Sequence, residues 1–356
     1  MAGPVILVVT FSDDIHALAV QRQIQTSRDH PCHILEVDRL PNTGRLSWST
    51  DNQAPPQVLV RGGHLLDLRT VAAIWWRRLH LTNAIPRIDD VTSDIITNDS
   101  RAALEGMLWN ENRGVWINNP DANRKAENKL NQLRVAQLIG FRIPKTLVSQ
   151  DPQRIRAFCD SLGNKVVIKS VRGTSRAALL TMPVTADLLA SSTALSVCPA
   201  IYQERIDGTT HIRANCFGER VFAFAIESPR LDWRTDLSVP IRPIDLDSDL
   251  CRRLLASLDS PGLEMGVFDL KIDPSGEPVW LEVNPQGQFL FLSGITGFDL
   301  LTPFTDFLCS RANYPERPFR RRSQTQPSER RKAQPSNLPF QADGHVSRFA
   351  PSRARR

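Results

Sequence analysis

Apolar and polar positions alternate with period two along Gly266–Ile272 and again along Pro278–Asn284. That period predicts two strands, and Asp273-Pro-Ser-Gly276 between them predicts a turn. Alternation places Val267, Asp269 and Lys271 on one face of the first strand and Trp280, Glu282 and Asn284 on one face of the second. Antiparallel pairing can bring Asp269 opposite Glu282 and Asn284. Two carboxylates and an amide oxygen form a hard donor set suited to Mg²⁺, which keeps waters and takes phosphate oxygens. The plainer alternative is a surface hairpin with solvated acids.

Upstream, the same reading gives a strand at Val5–Thr10, a helix from Ile15 to Gln25 and a second strand at His33–Val37, a β-loop-α-β start expected of an open α/β layer. A short strand in RLSW and a hairpin of Gln57–Arg61 with Leu65–Asp67 around Gly62-Gly63 follow. Val71–Arg78 is a further strand, ending in Trp75-Trp76, read as packing, and Arg77-Arg78, which could reach an anion at a strand's C-terminal end or simply be solvated. Ser93–Trp109 has helical spacing, and Trp116-Ile117 is a short strand. A helix is expected from an Asp121 N-cap to the C′ glycine Gly140. Then come an extended Phe141–Val148, a helix at Asp151–Leu162 and the strand Lys165–Ser170. Lys169 stands out in the apolar VVIKS run, because lysine in a buried strand needs a partner. The VRGTSR segment after it is a plausible, though weakly specified, loop over phosphates. Strands follow at Ile201–Ile206, His211–Phe217 and Arg220–Glu227, then a polar SPRLDWRTD loop, a helix at Asp249–Leu258, the hairpin, and a glycine turn with a closing helix. Arg213, within a strand, implies an anionic partner.

Composition refines this picture. The chain has 356 residues, room for about two domains. Its net charge of +6 is unevenly spread: residues 311–356 hold 12 Lys+Arg against 3 Asp+Glu, which leaves the first 310 residues at −3. Basicity therefore belongs to a Pro-, Ser-, Gln- and Arg-rich tail that reads as disordered, and not to the folded body, which argues against a nucleic-acid partner. The PVILVV run is too short to span a bilayer, so no membrane association is expected and a cytoplasmic location is assumed. Six cysteines without C-x-x-C spacing fit reduced thiols.

The order NKL…IPKT, VVIKS, YQERIDG, HIRANCFGERVFA, FDLKID…WLEVNPQGQF resembles the ATP-grasp ligase superfamily over about residues 118–310. Within it, the chain is similar to the graspetide (microviridin-type) peptide maturases, whose N-terminal pre-ATP-grasp domain is resembled by the stretch from ILVVTFSDD to WWRR. The resemblance implies an α/β ATP-grasp fold preceded by an open α/β domain: residues 1–118, a central lobe 119–202, a C-terminal lobe 203–310 with the Mg²⁺ site, and the tail 311–356. It implies ATP and Mg²⁺ as cofactors. Lys129 and Lys169 would hold phosphates; Gln203, Glu204, Arg205, Ile206 and Asp207 would line the adenosine site; Asp269, Glu282 and Asn284 would ligate the metal. Arg213, Lys169 and Arg234 would act on the transferred phosphate or the substrate. His211 stands where many members have an acid. The implied partner is a precursor peptide with leader and core, and a homodimer is left open. The implied reaction passes through an acyl phosphate to a side-chain ester or amide. The runner-up is a ligase joining an amino acid to a small molecule or a protein terminus; a nucleotide binder without ligase activity would have no need of the whole ligand set.

Overall fold

β1 (Val5–Thr10) is buried on both faces, which is why it reads as an unbroken apolar run where one-sided strands alternate. Ile6 and Val8 pack with Ala17, Val20 and Ile24 of α1 (Ile15–Ser27), while Leu7 and Val9 join a second cluster. After β2 (Cys32–Glu36), a small antiparallel sheet of β3 (Leu46–Ser47), β4 (Gln57–Leu59) and β5 (Leu65–Asp67) precedes β6 (Val71–Trp76), α2 (Asp90–Glu111) and β7 (Val115–Ile117). Strands β2-β1-β6-β7 form a parallel sheet. Trp75 packs into one cluster against Phe304 and Trp76 into the other against Trp116, so the tryptophan pair fills both faces. The structure is a computed structural model, and it describes residues 3–41, 43–51, 54–79, 89–173 and 179–314. Thr174, Ser175 and Arg176 of the expected phosphate loop, and the tail from residue 315, lie outside them.

The single helix expected from Asp121 to Gly140 is two: α3 (Pro120–Glu127) and α4 (Lys129–Ile139). Asn119, not Asp121, caps the first, accepting from the amides of Asp121 and Ala122, with Pro120 at the first position, where its missing N–H costs nothing. Asn128 ends that helix and caps the next through Leu130 N and Asn131 N. Asparagine competes for backbone amides in this way, so it interrupts the helical period without disturbing the apolar spacing. Gly140 closes α4 at φ 90°, as expected.

A second sheet, β10-β9-β11-β8, consists of β8 (Thr146–Ser149), β9 (Val166–Ser170), β10 (Met182–Pro183) and β11 (Ala200–Glu204), with α5 (Pro152–Ser161), α6 (Ala186–Ala190) and α7 (Ser192–Ser196) between them in the chain. The Phe141–Val148 extension is strand only from Thr146; Arg142 instead bridges to Val279. The third sheet, β14-β13-β12-β15-β16, holds β12 (Thr210–Phe217), β13 (Arg220–Glu227), β14 (Ile241–Ile244), β15 (Met265–Ile272) and β16 (Pro278–Asn284). One face of β12 and β15, with Ile212, Ala214, Phe268 and Leu270, packs under Leu250, Leu254 and Leu258 of α8 (Ser248–Asp259). The other face carries His211, Arg213 and Asp269 at one end and Phe217 and Met265, buried with the N-terminal core, at the other. The closing helix is also two, α9 (Leu290–Thr296) and α10 (Leu301–Asn313), separated at Gly297, φ 72°. Phe304 and Leu308 of α10 return to cover β1 and β6.

Candidate active site

The β15–β16 hairpin pairs Asp269 with Glu282 and Val267 with Asn284. A bulge sits between Asp269 and Leu270: the ladder steps from Glu282 to Trp280 and leaves Leu281 without a partner. The extra residue reverses the alternation, so Trp280 does not share a face with Glu282, as strict period two implies. It is buried on the opposite side against Phe141 and Phe268, and Leu281 and Glu282 both border the cleft.

Two buried amide side chains hold this hairpin. Asn118 Oδ1 accepts from Glu264 N and Met265 N, and its Nδ2 donates to the carbonyls of Met265 and Pro285, all at 2.7–3.0 Å. Gln132, on α4, donates to Val283 O and accepts from Val283 N. The following turn lies tight on the strand: a Cβ at Gly287 would come within 2.5 Å of Val267 Cβ.

A cleft of about 120 Å³ is lined by Lys129, Lys169, Asp232, Arg234, Asp269 and Glu282, with His211 at its wall. Lys169 faces it because Val166 and Ile168 of β9 turn to the opposite, apolar side. Burial lowers the Lys169 ammonium from its ordinary value, Glu282 opposing the shift. Arg213, buried, donates from Nη1 to both oxygens of Asp269 at 2.9 Å and from Nη2 to Gln288 O at 2.9 Å. Its guanidinium lies over the rings of Trp233 and Phe291, at 5.5 and 5.7 Å. Burial raises the Asp269 carboxyl in spite of that arginine. Glu282 is also pushed up by burial, but Lys129, Lys169, Arg234 and Arg213 outweigh that and hold it below the ordinary range, so it is ionised. Lys129 Nζ stands 3.8 Å from Glu282. Arg234 is gripped in two-point fashion by Asp232, at 2.8 and 2.6 Å, which raises its pKa. Sequence reading missed Asp232, Trp233 and Phe291; only the DWR run hinted at the first.

Not every expected residue enters this cleft. Glu204, Arg205, Ile206 and Asp207 line a second one of about 250 Å³ with Lys165 and Asp273. There Glu204 Oε2 accepts from Lys145 N at 3.0 Å and Asp207 is paired with Lys165 at 2.9 Å. Gln203 is buried and donates to Thr146 Oγ1. Asn284 is exposed, its Oδ1 accepting from Gln286 N at 2.9 Å. Arg77, expected at the surface or on an anion, is buried and paired with Asp14, which also accepts from Thr10. Beside it, His16 Nε2 accepts from Phe289 N and Leu290 N at 3.2 and 3.1 Å, capping α9, which has no cap of its own. His16, two residues after FSDD, thus seats the segment that follows NPQGQ, next to the Asp14–Arg77 pair.

The donor set fits a hard divalent cation: an ionised carboxylate, a second across the same rung, and an amide oxygen with a lone pair to spare. Among the described residues no three His, Cys, Asp and Glu side chains cluster for a metal, so two carboxylates would need Asn284, waters or phosphate oxygens to complete a shell.

Residues 5–124 match the family described as the MvdD pre-ATP grasp domain. No curated protein matches the chain. Among solved structures, macrocyclase MdnC of Microcystis aeruginosa MRC, bound with precursor peptide MdnA, is 26% identical with a TM-score of 0.77, over 86% of this chain and 98% of MdnC. Macrocyclase MdnB of the same organism is 26% identical, TM-score 0.72, over 85% and 98%. A Chryseobacterium gregarium RiPP-associated ATP-grasp ligase, in complex with ADP and a leader and core peptide, is 24% identical with a TM-score of 0.78, over 86% and 97%. Over 85–86% of its length the chain is thus similar to solved macrocyclases and to a RiPP-associated ATP-grasp ligase, and its residues 5–124 match the MvdD pre-ATP grasp domain.

Proposed function

We propose that this chain is an ATP- and Mg²⁺-dependent ligase that closes side-chain ester or amide rings in a ribosomally made precursor peptide. The observation that carries this reading is the cross-strand pair Asp269 and Glu282 facing Lys129, Lys169 and Arg234 across one cleft. The macrocyclase likeness supports it, MdnC being bound with its precursor peptide. Among the described residues no helix is long and apolar enough to cross a membrane.

In this reading residues 1–118 form the first domain, 119–202 and 203–310 the two lobes, and 311–356 a tail. Asp269, Glu282 and Asn284 would hold Mg²⁺, which when bound neutralises phosphate charge. Lys129 and Lys169 bind phosphate oxygens, and Glu204 to Asp207 with Gln203 form the adenosine wall. A substrate carboxylate attacks the γ-phosphate, and charge spread over the transferred oxygens is met by Lys169, Arg213 and Arg234. The lowered pKa of Lys169 reflects a partly desolvated cation, whose field is stronger for being so. Arg213 is held rigid by Asp269 and its two aromatic neighbours, so little reorganisation is required of it. The acyl phosphate then meets a hydroxyl or amine of the same peptide. No nucleophilic Ser or Cys is needed.

The test is incubation with ATP, Mg²⁺ and the short Thr- and Asp/Glu-rich peptide expected to be encoded beside the gene. Mass spectrometry should show the loss of one water per ring, with ADP released. ADP formation without water loss would turn the reading toward a ligase with a different acceptor, and Glu282→Gln or Asn284→Ala enzyme with full turnover would remove the metal site.

A further inference from the structure

His211 is buried to 3% exposure at the wall of the active cleft, and its Nε2 finds no hydrogen-bond partner among the described residues. The other ring nitrogen is spent on the main chain of Arg230. A buried imidazole nitrogen left without a partner costs free energy comparable to a lost hydrogen bond unless a ligand meets it. The surrounding charges set its form. Lys271 stands directly opposite on β15, and Lys169 and Arg234 line the same cleft. Burial first, then Lys271, pushes the His211 pKa down to about 4, Arg230 and Asp232 resisting. The ring is therefore neutral at physiological pH, and Nε2 is a bare acceptor.

Neighbouring carboxylates cannot replace it. Asp232 is taken by both arms of Arg234, and Asp269 by Arg213. Glu282 is matched to the cations of the phosphate side.

We propose that His211 selects a hydroxyl as the acceptor of the second half-reaction, its Nε2 taking the hydrogen bond of a Ser or Thr side chain, so that this chain forms esters. The inference rests on the ligase reading above. The hydroxyl oxygen attacks the acyl carbon, the carbon–oxygen bond to phosphate breaks, and phosphate leaves with that electron pair and with the hydroxyl proton, giving ester and hydrogen phosphate. So weak a base as His211 orients the hydroxyl and does not keep its proton. A lysine acceptor arrives as an ammonium, with one proton more than the leaving phosphate removes. A neutral imidazole among Lys169, Lys271 and Arg234 neither attracts that cation nor strips it, whereas a carboxylate at this position would do both.

The experiment uses the full chain, ATP, Mg²⁺ and the peptide that gives water loss with wild-type enzyme, as it stands and with its hydroxyl acceptors replaced by Lys. Wild type should close the hydroxyl peptide at least about 100-fold faster than the Lys peptide. H211A should slow ring closure by about 100-fold, whereas with hydroxylamine supplied as the acceptor ADP release and hydroxamate formation should stay near wild type. H211Q, which keeps an acceptor oxygen, should recover part of the closure rate, and H211D should gain on the Lys peptide. Equal loss of hydroxamate and of ring in H211A and H211Q, or equal closure of both peptides by wild type, overturns the role of His211. Absence of ATP-dependent hydroxamate in wild type refutes the ligase reading itself.

Discussion

Asp269 and Glu282 face one another across a single rung, yet removing their charges should have unequal structural consequences. Asp269 accepts two hydrogen bonds at 2.9 Å from an arginine side chain only 8% exposed, and its own side chain is 14% exposed. Asp269→Ala leaves that guanidinium with Gln288 O and two aromatic faces as its remaining partners. Breaking a buried pair from one side costs about 3–5 kcal/mol, so at least roughly 3 kcal/mol of stability should be lost. Glu282 has its nearest ion-pair contact with Lys129 at 3.8 Å, beyond hydrogen-bonding distance, with both side chains near 30% exposed. Pairs of that kind are worth about 0–1 kcal/mol, and Lys169, Arg234 and Arg213 also favour the Glu282 charge, so Glu282→Gln should cost about 1–2 kcal/mol, less than loss of the buried Asp269–Arg213 pair. Both variants should stop ADP formation. The assay is urea unfolding followed by circular dichroism without nucleotide or metal, midpoints being compared at unchanged slope. Destabilisation of the two variants equal to within about 0.5 kcal/mol would refute the division of labour between a carboxylate that fixes Arg213 and one free to serve the substrate.

Acid should weaken the fold through two histidines. His16 and His211 are each lowered from 6.5 to about 4 by burial, with Arg77 and Lys271 respectively adding to it. Between those values the unfolded chain binds the protons and the folded chain does not, so stability falls as pH drops from about 6.5 to about 4, by up to roughly 3 kcal/mol for each. His16→Gln should flatten melting temperature against pH over that window, and a curve parallel to wild type would remove His16 from the account. Gly287→Ala forces a Cβ to within 2.5 Å of Val267 Cβ, two residues from Asp269; it should cost about 1–3 kcal/mol and most of the ADP formation, and wild-type turnover would show that the turn yields freely. Deleting residues 315–356 should leave ADP formation unchanged, since the tail carries charge and none of the site residues; lost turnover would assign it a part in catalysis.

The elements were legible wherever one periodicity governed a segment. The five apolar residues of β1 read directly as a strand buried on two faces, and β12 and β13 as two strands joined at Gly218-Glu219. What the sequence hid were local competitions. Asn128 breaks a helix whose apolar spacing runs through it, and the β15–β16 bulge turns Trp280 to the core at the point where simple alternation aims it at the metal side. Long-range pairing was equally invisible: Arg77 finds Asp14, and Arg213 finds Asp269 with Trp233 and Phe291, through topology alone.

The bulge links these points to chemistry. With strict alternation β16 would set Trp280 and Glu282 side by side, and an indole would crowd the cleft proposed to take the phosphates. One additional residue lets Trp280 secure the α4–α8 side of the sheet while Leu281 and Glu282 both meet the cleft. An apolar side chain beside an ionised carboxylate keeps water out of that corner, and an acyl phosphate lasts only where water is scarce. The departure from regular pairing thus falls beside Glu282, and deleting Leu281 would leave Glu282 opposite Asp269 and Trp280 opposite Leu270 in a regular ladder while removing the apolar neighbour of the carboxylate. That deletion should therefore keep ADP formation but lower the yield of ring per ADP formed, and a yield equal to wild type would mean that Leu281 is incidental to the site.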